Sequence, residues 1–281
     1  MRRFFVVLIV MAFALPALAQ DGNGWSFSGR FQGSSNSSGF VTKVDPTLGY
    51  GFKKHFRTYV GIPFYMVNES ATTTTTPTSG TFMSGVGNAY VGLGIVMEND
   101  MVNFASTLEG TAPTGDRDKG FSTGRATVDW TNTFSHSFSS VTPFASAGLA
   151  NTVSDTSFFV RPFTSLGLVS HFDGGVKHSL SPFADVGVSA YGVRAAGDQR
   201  IVSKVFKRLA TSTTSTTRGN GRVFDSSGEV SGTADLANDH GFSAWLAAHA
   251  GSKMDLQVGY TRSAGYDLNT LFFGAGFRVG K

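Results

Sequence analysis

The sequence predicts an all-β chain, an antiparallel transmembrane β-barrel of about twelve strands. Three observations predict it. Apolar residues alternate with small or polar ones at period two along most of the chain. The connections between these segments alternate between short and long, as in bacterial outer-membrane barrels. Beyond the N-terminal stretch, no segment approaches the roughly 18 consecutive apolar residues of a spanning helix. A membrane protein without such helices must be a closed barrel, because lipid cannot satisfy open backbone groups. Composition agrees: 281 residues carry 35 Gly and 26 Phe, with only 15% charged, against about 25% charged in an average soluble domain.

The first element is an export signal over residues 1–19. Arg2 and Arg3 precede the apolar run Phe4 to Leu15, and Pro16-Ala17-Leu18-Ala19 ends in a small-x-small pattern, which places cleavage after Ala19. The run is shorter than the ~20 residues of a membrane anchor. Residues 20–281 are then the barrel. Arg2 and Arg3 account for two of the four net positive charges, leaving +2, so the charge balance does not argue for a nucleic-acid partner. No cysteine is present, which excludes disulfide staples and thiolate chemistry.

The strands follow in order near 25–32, 40–52, 56–66, 83–97, 101–112, 124–134, 139–150, 161–172, 179–193, 240–250, 254–264 and 270–280, guided by about 9–11 residues per span. The fourth sets Ala89, Val91, Leu93, Ile95 and Met97 against Tyr90, Gly92, Gly94 and Val96. The fifth sets Val102, Phe104 and Leu108 against Asn103, Thr107 and Glu109. The last sets Leu271, Phe273, Ala275, Phe277 and Val279 against Phe272, Gly274, Gly276 and Arg278. Short connections fall at Lys53-Lys54-His55, Glu98-Asn99-Asp100, Ser135-His136-Ser137, Asp173 to His178 and Gly251-Ser252-Lys253; long ones fall at 67–82, 113–123, 151–160 and 194–239. The outer connections 33–39 and 265–269 are modest. A soluble β-sandwich would share short strands and Gly-rich turns, but not this alternation of lengths.

Two loops are compositionally biased, Thr72 to Thr76 and Thr211 to Thr217, and read as solvated surface segments. Within the long connection, Ile201, Val205 and Leu209 recur four apart beside Val202 and Phe206. This predicts an amphipathic helix over Gln199 to Ala210, ahead of the alternative in which the neighbouring strands extend as a hairpin.

Several segments resemble a known family. Gly85-Val86-Gly87-Asn88-Ala89-Tyr90-Val91-Gly92-Leu93-Gly94, the loop Ala112-Pro113-Thr114-Gly115-Asp116-Arg117-Asp118-Lys119-Gly120 and the tail from Tyr266-Asp267 through Phe277 resemble the outer-membrane proteins of the meta-pathway of phenol degradation. That family is distantly akin to barrels that take up fatty acids and aromatic hydrocarbons. The resemblance implies a barrel passing small organic molecules and no catalytic residue. The chain departs from the usual barrel-assembly signal, a terminal aromatic residue: it ends Val279-Gly280-Lys281, with Phe277 its last aromatic.

The inward face carries the candidate functional residues. The register places Glu109, Asp129, Asp185, Gln257 and Arg278 there, with Thr127, Thr131, Ser189 and Tyr191. Charges of both signs inside a barrel either shape a solute path or lock the lumen through paired networks. Glycines share that face: Gly92, Gly94, Gly148, Gly167, Gly187, Gly259, Gly274 and Gly276. They are expected to leave open space on the wall. Inward aromatics, Tyr90, Tyr191, Trp245 and Phe272, suit an aromatic solute, whereas Tyr50, Phe52, Phe56 and Tyr59, Phe134 and Phe138, and Phe172 flank short turns as an interfacial girdle would.

Two chemistries are weighed and set aside. Five of the six histidines (His55, His136, His171, His178, His249) fall at or near predicted periplasmic ends of different strands, with no zinc-site spacing. A lipase-like barrel would need a nucleophile, a base and an orienting group. The nearest pair is His178-Ser179 at a predicted turn, with Asp173 close by. A structural or adhesion barrel with a closed lumen is the other alternative. The reading carried forward is passive transport of small solutes, hydrophobic or aromatic, through a polar, Gly-lined lumen narrowed by loop 194–239. The expected partners are outer-membrane lipid, the outer-membrane assembly machinery and the solute. No cofactor, metal or catalytic residue is expected.

Overall fold

The computed structural model describes residues 23–36, 39–53, 55–69, 82–152, 164–202, 207–208, 222–223, 229–232, 234, 237–251 and 253–279. The predicted export signal and both Thr-rich runs lie outside the described residues.

Each strand pairs antiparallel with the next. In chain order they are β1 (Gly24–Asn36), β2 (Gly39–Phe52), β3 (Phe56–Gly61 and Phe64–Glu69), β4 (Phe82–Val86 and Tyr90–Met97), β5 (Asn103–Thr111) and β6 (Thr127–Ser135). They continue with β7 (Val141–Ala150), β8 (Val169–Ser181), β9 (Ala184–Ala195), β10 (Asp239–Ala250), β11 (Met254–Ser263) and β12 (Leu268–Val279). Strand β12 returns to β1 over Trp25↔Val279 to Ser35↔Asn269, so the sheet closes into a twelve-strand barrel. Closure matters because it removes the unpaired edge that lipid could not satisfy.

Two strands are each broken into two segments, for local reasons. Pro63 has no N–H to give to the ladder of β3. Opposite it, the Gly87 N–H of β4 turns to the Pro63 carbonyl at 2.7 Å, and the Ala89 N–H goes to Thr114 Oγ1 at 2.8 Å. The three residues between the halves of β4 are therefore held on one side by the Pro63 carbonyl and on the other by Ala112 and Thr114, where the following loop begins.

Alternation of exposure follows the predicted parity. Val91, Leu93, Ile95 and Met97 are exposed apolar residues on β4, as are Leu271, Phe277 and Val279 on β12. On a soluble protein such a continuous apolar exterior would aggregate; against acyl chains it is the required surface. Small outward residues on β7, β8 and β9, including Ala145, Ala147, Gly174 and Ala190, leave a groove of about 450 Å³ between Phe134 and Phe172. Aromatics cluster at the ends with short turns: Trp25 meets Tyr50 at 5.0 Å and Tyr50 meets Phe52 at 4.6 Å between ring centroids. Phe104 and Phe134 follow at 5.0 Å. Tyr59 does not join them, because its parity on β3 turns it inward.

Three further expectations are corrected. Strands at 161–172 and 179–193 with a turn at Asp173 to His178 are replaced by β8 and β9, which run uninterrupted through Asp173-Gly174-Gly175. Gly175 serves a close approach rather than a turn: a Cβ there would lie 2.2 Å from the Val188 carbonyl oxygen and 2.8 Å from the Phe144 ring. The actual turn is at Pro182-Phe183, where the Phe183 N–H reaches Ser181 Oγ at 3.2 Å. Phe172 accordingly sits within β8 on the exposed face rather than at a turn. The shift also moves His171 from a short-turn end to the long-loop end of β8, and leaves Gly167 outside the barrel strands with φ +146°.

The helix predicted over Gln199 to Ala210 does not form where the chain is described. Gln199–Val202 is extended and pairs with Thr164–Leu166 and Glu229–Gly232, while Lys207–Arg208 pairs with Arg222–Val223. Residues 203–206 and 209–210 lie outside the described residues. The hairpin alternative wins because the loop before β8 supplies a strand partner, and pairing satisfies the backbone groups that the helix would have satisfied internally.

Candidate functional site: the inner wall

Inward positions on neighbouring strands pair a large side chain with a glycine repeatedly. A methyl added at Gly92 would lie 2.0 Å from Tyr59 Cζ; at Gly61, 2.3 Å from Tyr90 Cζ; at Gly148, 2.3 Å from His171 Cε1. The same holds for Gly187 beneath Trp245 at 2.2 Å, Gly259 beneath Phe272 at 2.3 Å and Gly241 beneath Tyr191 at 2.7 Å. The glycines therefore do not leave the wall open, as the sequence suggests. Each is the floor on which a neighbour's ring lies flat, as aromatic side chains cover strand glycines elsewhere. Long side chains thus lie over the backbone of neighbouring strands.

Polar groups between these rings form two networks. The first spans β2 to β8. Tyr90 OH donates to Asp45 Oδ1 at 2.8 Å and contacts Thr47 Oγ1 at 2.7 Å, while Lys43 Nζ meets Asp45 Oδ2 at 2.9 Å. Tyr59 OH donates to Glu109 Oε2 at 2.8 Å, and the Tyr59 and Tyr90 rings meet edge to face at 6.1 Å. Arg57 donates to Thr107 Oγ1 at 3.2 Å. Thr131 Oγ1 donates to Asp129 Oδ1 at 2.8 Å, and His171 Nε2 lies 3.2 Å from the same oxygen.

The second network rings the end with short turns, crossing β8 to β12. Lys177 Nζ lies 3.2 Å from Asp185 Oδ2, which also meets His249 Nε2 at 3.0 Å. His249 Nδ1 meets Asp255 Oδ1 at 2.7 Å, and Asp255 pairs with Arg278. An imidazole facing carboxylates through both nitrogens donates to both only as the imidazolium, so this end carries alternating charge.

At the opposite end, Asp239 accepts from Tyr191 OH at 3.0 Å, from Ser263 Oγ at 2.8 Å and from the Gly265 N–H at 2.9 Å. Two loops lie against the wall there. The loop between β5 and β6 seats Phe121 against Val41 and Val67, stacked on Tyr65 at 5.4 Å. It is held by Asp116 N–H to the Val86 carbonyl at 3.2 Å and by Gly115 N–H to Asn88 Oδ1 at 3.3 Å. Its fit is close: a Cβ on Gly115 would lie 2.7 Å from the Gly87 carbonyl carbon. Ala237, from the loop between β9 and β10, packs with Ala150, Val169, Tyr191 and Val193 on the other side. The sequence singled out only the loop 194–239, whereas the loop between β5 and β6 also docks at this end.

The candidate residues thus divide. Glu109 and Asp129 lie in the first network, Asp185 and Arg278 in the second, Tyr191 at the long-loop end. Trp245 stands 6.1 Å from Phe144 between ring centroids. The structure does not gather them into one cluster. Gln257 is 7% exposed, and its Oε1 has no hydrogen-bond partner. Sequence reasoning missed Arg30, Lys43, Asp45, Arg57, Lys177, Asp239 and Asp255, and weighed His249 only as a metal ligand. Applying the strand parity to every charged residue would have found Arg30 and Asp45. Among the described residues, no group of three or more acidic or imidazole side chains is arranged to hold a metal ion. The His178-Ser179 pair is split by strand parity: His178 faces out and Ser179 in, so neither reaches the other as a base to a nucleophile.

No family model matches the chain, and no curated protein does. Solved structures do. An outer membrane channel from Pseudomonas putida F1 aligns with a TM-score of 0.61 and 13% identity, over 96% of this chain and 98% of the other. The NanC porin aligns with a TM-score of 0.51 and 10% identity, over 90% of this chain and 100% of the other. The chain has the fold of an outer-membrane β-barrel. The likeness covers nine-tenths or more of this chain at very low identity, so it resides in the fold rather than in shared side chains.

Proposed function

We propose that the chain is an outer-membrane channel through which small organic solutes diffuse passively. The observation that carries this reading is the inner wall itself: rings laid flat on glycine floors, with charged groups paired along the wall rather than across the lumen. A closed structural barrel would instead fill its interior with side chains, as the smallest barrels do. In this reading the short-turn end faces the periplasm and the long loops face outward. The N-terminal stretch acts as the export signal and no enzymatic step is involved. The channel likeness supports the function, and the segments resembling the meta-pathway family support solutes of aromatic type. Conductance of the refolded protein in a planar bilayer tests the proposal. Steady unitary currents are expected, and silence from protein of verified fold overturns it.

A further inference from the structure

Two rows of residues cross the lipid-facing wall from β6 to β10. The first joins Phe134, Ala145, Gly174, Ala190 and Phe242 as successive cross-strand partners. The second, one step nearer the long loops, joins Ala147, Phe172, Gly192 and His240. Small residues between the phenyl rings leave the groove of about 450 Å³ on this outer face. It climbs from Phe134, beside the short turn after β6, to Gly192, three residues from the long-loop end of β9. Asp173 and Tyr191 border it from the inward parity, Tyr191 reaching Asp239 on the lumen side.

Lipid tails are as apolar as the wall, so a groove by itself retains no lipid in preference to its neighbours. Selection needs a head group, and the long-loop end of the groove supplies partners for one. Arg194 follows Gly192 by two residues on the same face of β9, and His240 stands opposite Gly192 on β10. Both are exposed, and as diagonal neighbours they are about 7–8 Å apart, within reach of one ligand. The Arg194 guanidinium has no carboxylate partner among the described residues, whereas Arg262, further round the same face, pairs with Asp267. A cation on a lipid-facing strand is tolerated near the interface and costly at the midplane, which sets Arg194 at head-group depth. Its guanidinium matches a phosphate through two parallel N–H donors. We propose that this groove, with Arg194 and His240, binds one phosphorylated lipid of the leaflet on the long-loop side. An acyl chain lies against Gly174 and Ala190, and the phosphate rests on the guanidinium. The site belongs to the outer wall and stands whether or not the lumen conducts.

Dioleoyl phosphatidate is the probe, beside dioleoyl phosphatidylcholine with the same chains. Native mass spectrometry of the full folded chain in detergent reads the lipid retained, and heat-modifiable migration on gels verifies the fold of each variant. At least a tenfold preference for phosphatidate is expected in the first lipid bound. Arg194→Gln should abolish the preference, and Arg262→Gln should keep it. Ala190→Leu fills the groove and should lower phosphatidate retention at least fivefold, whereas Ala244→Leu, exposed on the same face outside the groove, should not. Equal retention of the two lipids overturns the site, as does a preference that survives Arg194→Gln or retention that survives Ala190→Leu. A tenfold excess of inorganic phosphate should leave phosphatidate bound; displacement by it would reduce the site to an anion contact and overturn the part assigned to the groove.

Discussion

Substituting Gly92→Ala tests the glycine-floor account directly. The new methyl would start 2.0 Å from Tyr59 Cζ and 2.5 Å from its hydroxyl, against 3.4 Å or more for ordinary contact, so the ring must retreat by at least about 1.4 Å. Its only free direction is away from the wall and into the lumen. That movement pulls the hydroxyl from Glu109 Oε2, now 2.8 Å away. Overpacking costs about 1–3 kcal/mol, and a carboxylate left without its donor costs about 1–3 kcal/mol more. A destabilisation of roughly 2–6 kcal/mol is therefore expected, read from urea unfolding in micelles by tryptophan fluorescence. Unitary conductance should fall at the same time, because the ring narrows the path. Tyr59→Ala should abolish most of the effect, so that adding Gly92→Ala to it costs less than about 0.5 kcal/mol. An unchanged midpoint with unchanged conductance would refute the idea that this glycine seats the ring.

Other perturbations address the remaining parts of the wall. His249→Ala removes the imidazole between Asp185 and Asp255; reversal potentials in a salt gradient should move toward cation preference, and no movement would separate this ring from the conduction path. Gly115→Ala drives a methyl against the backbone of Gly87 and the Phe121 carbonyl, each 2.7 Å away. The loop between β5 and β6 should lift, giving faster tryptic cleavage at Arg117 and Lys119; unaltered cleavage would count against its docking. Backbone N–H donation by Lys119 holds the Asp116 carboxyl below its usual range. A depressed carboxyl favours the folded loop above its unfolded value and loses that advantage as pH falls through the folded one. The protection factor of the Lys119 amide, its exchange rate relative to the intrinsic rate at the same pH, should thus fall on acidification in the native chain and stay constant in Asp116→Asn.

The resemblance motifs gain a physical meaning from the structure. The glycine-rich segment around Gly87-Asn88-Ala89 and the loop around Thr114-Gly115-Asp116 are separate in sequence, yet each completes the other's hydrogen bonds. One interrupts a strand, and the other supplies the partners that the interruption leaves wanting. Strand parity alone gives no hint of this exchange, because it concerns the residues where parity breaks.

The sequence by itself determined the all-β barrel, the number of strands and the face that most strand residues present, Tyr59 and Gly167 being exceptions. Period-two alternation is a local property: once a strand forms, its neighbours in sequence must point to opposite sides. Glu109, Asp129, Asp185, Gln257 and Arg278 could therefore be placed on one face without knowing any partner. Tertiary structure alone decided what each of them meets. Pairing across β11, β12 and β1 sets Gln257 and Arg30 either side of Gly274, though they are distant in sequence. It decided that Asp173-Gly174-Gly175 is strand and Pro182-Phe183 turn, because a glycine can serve either a bend or a close approach, and only the neighbouring strand reveals which. It likewise extended Gln199–Val202 against a strand that the sequence could not offer in advance. Periodicity fixes orientation; register and loop docking arise from contacts between segments far apart in the chain.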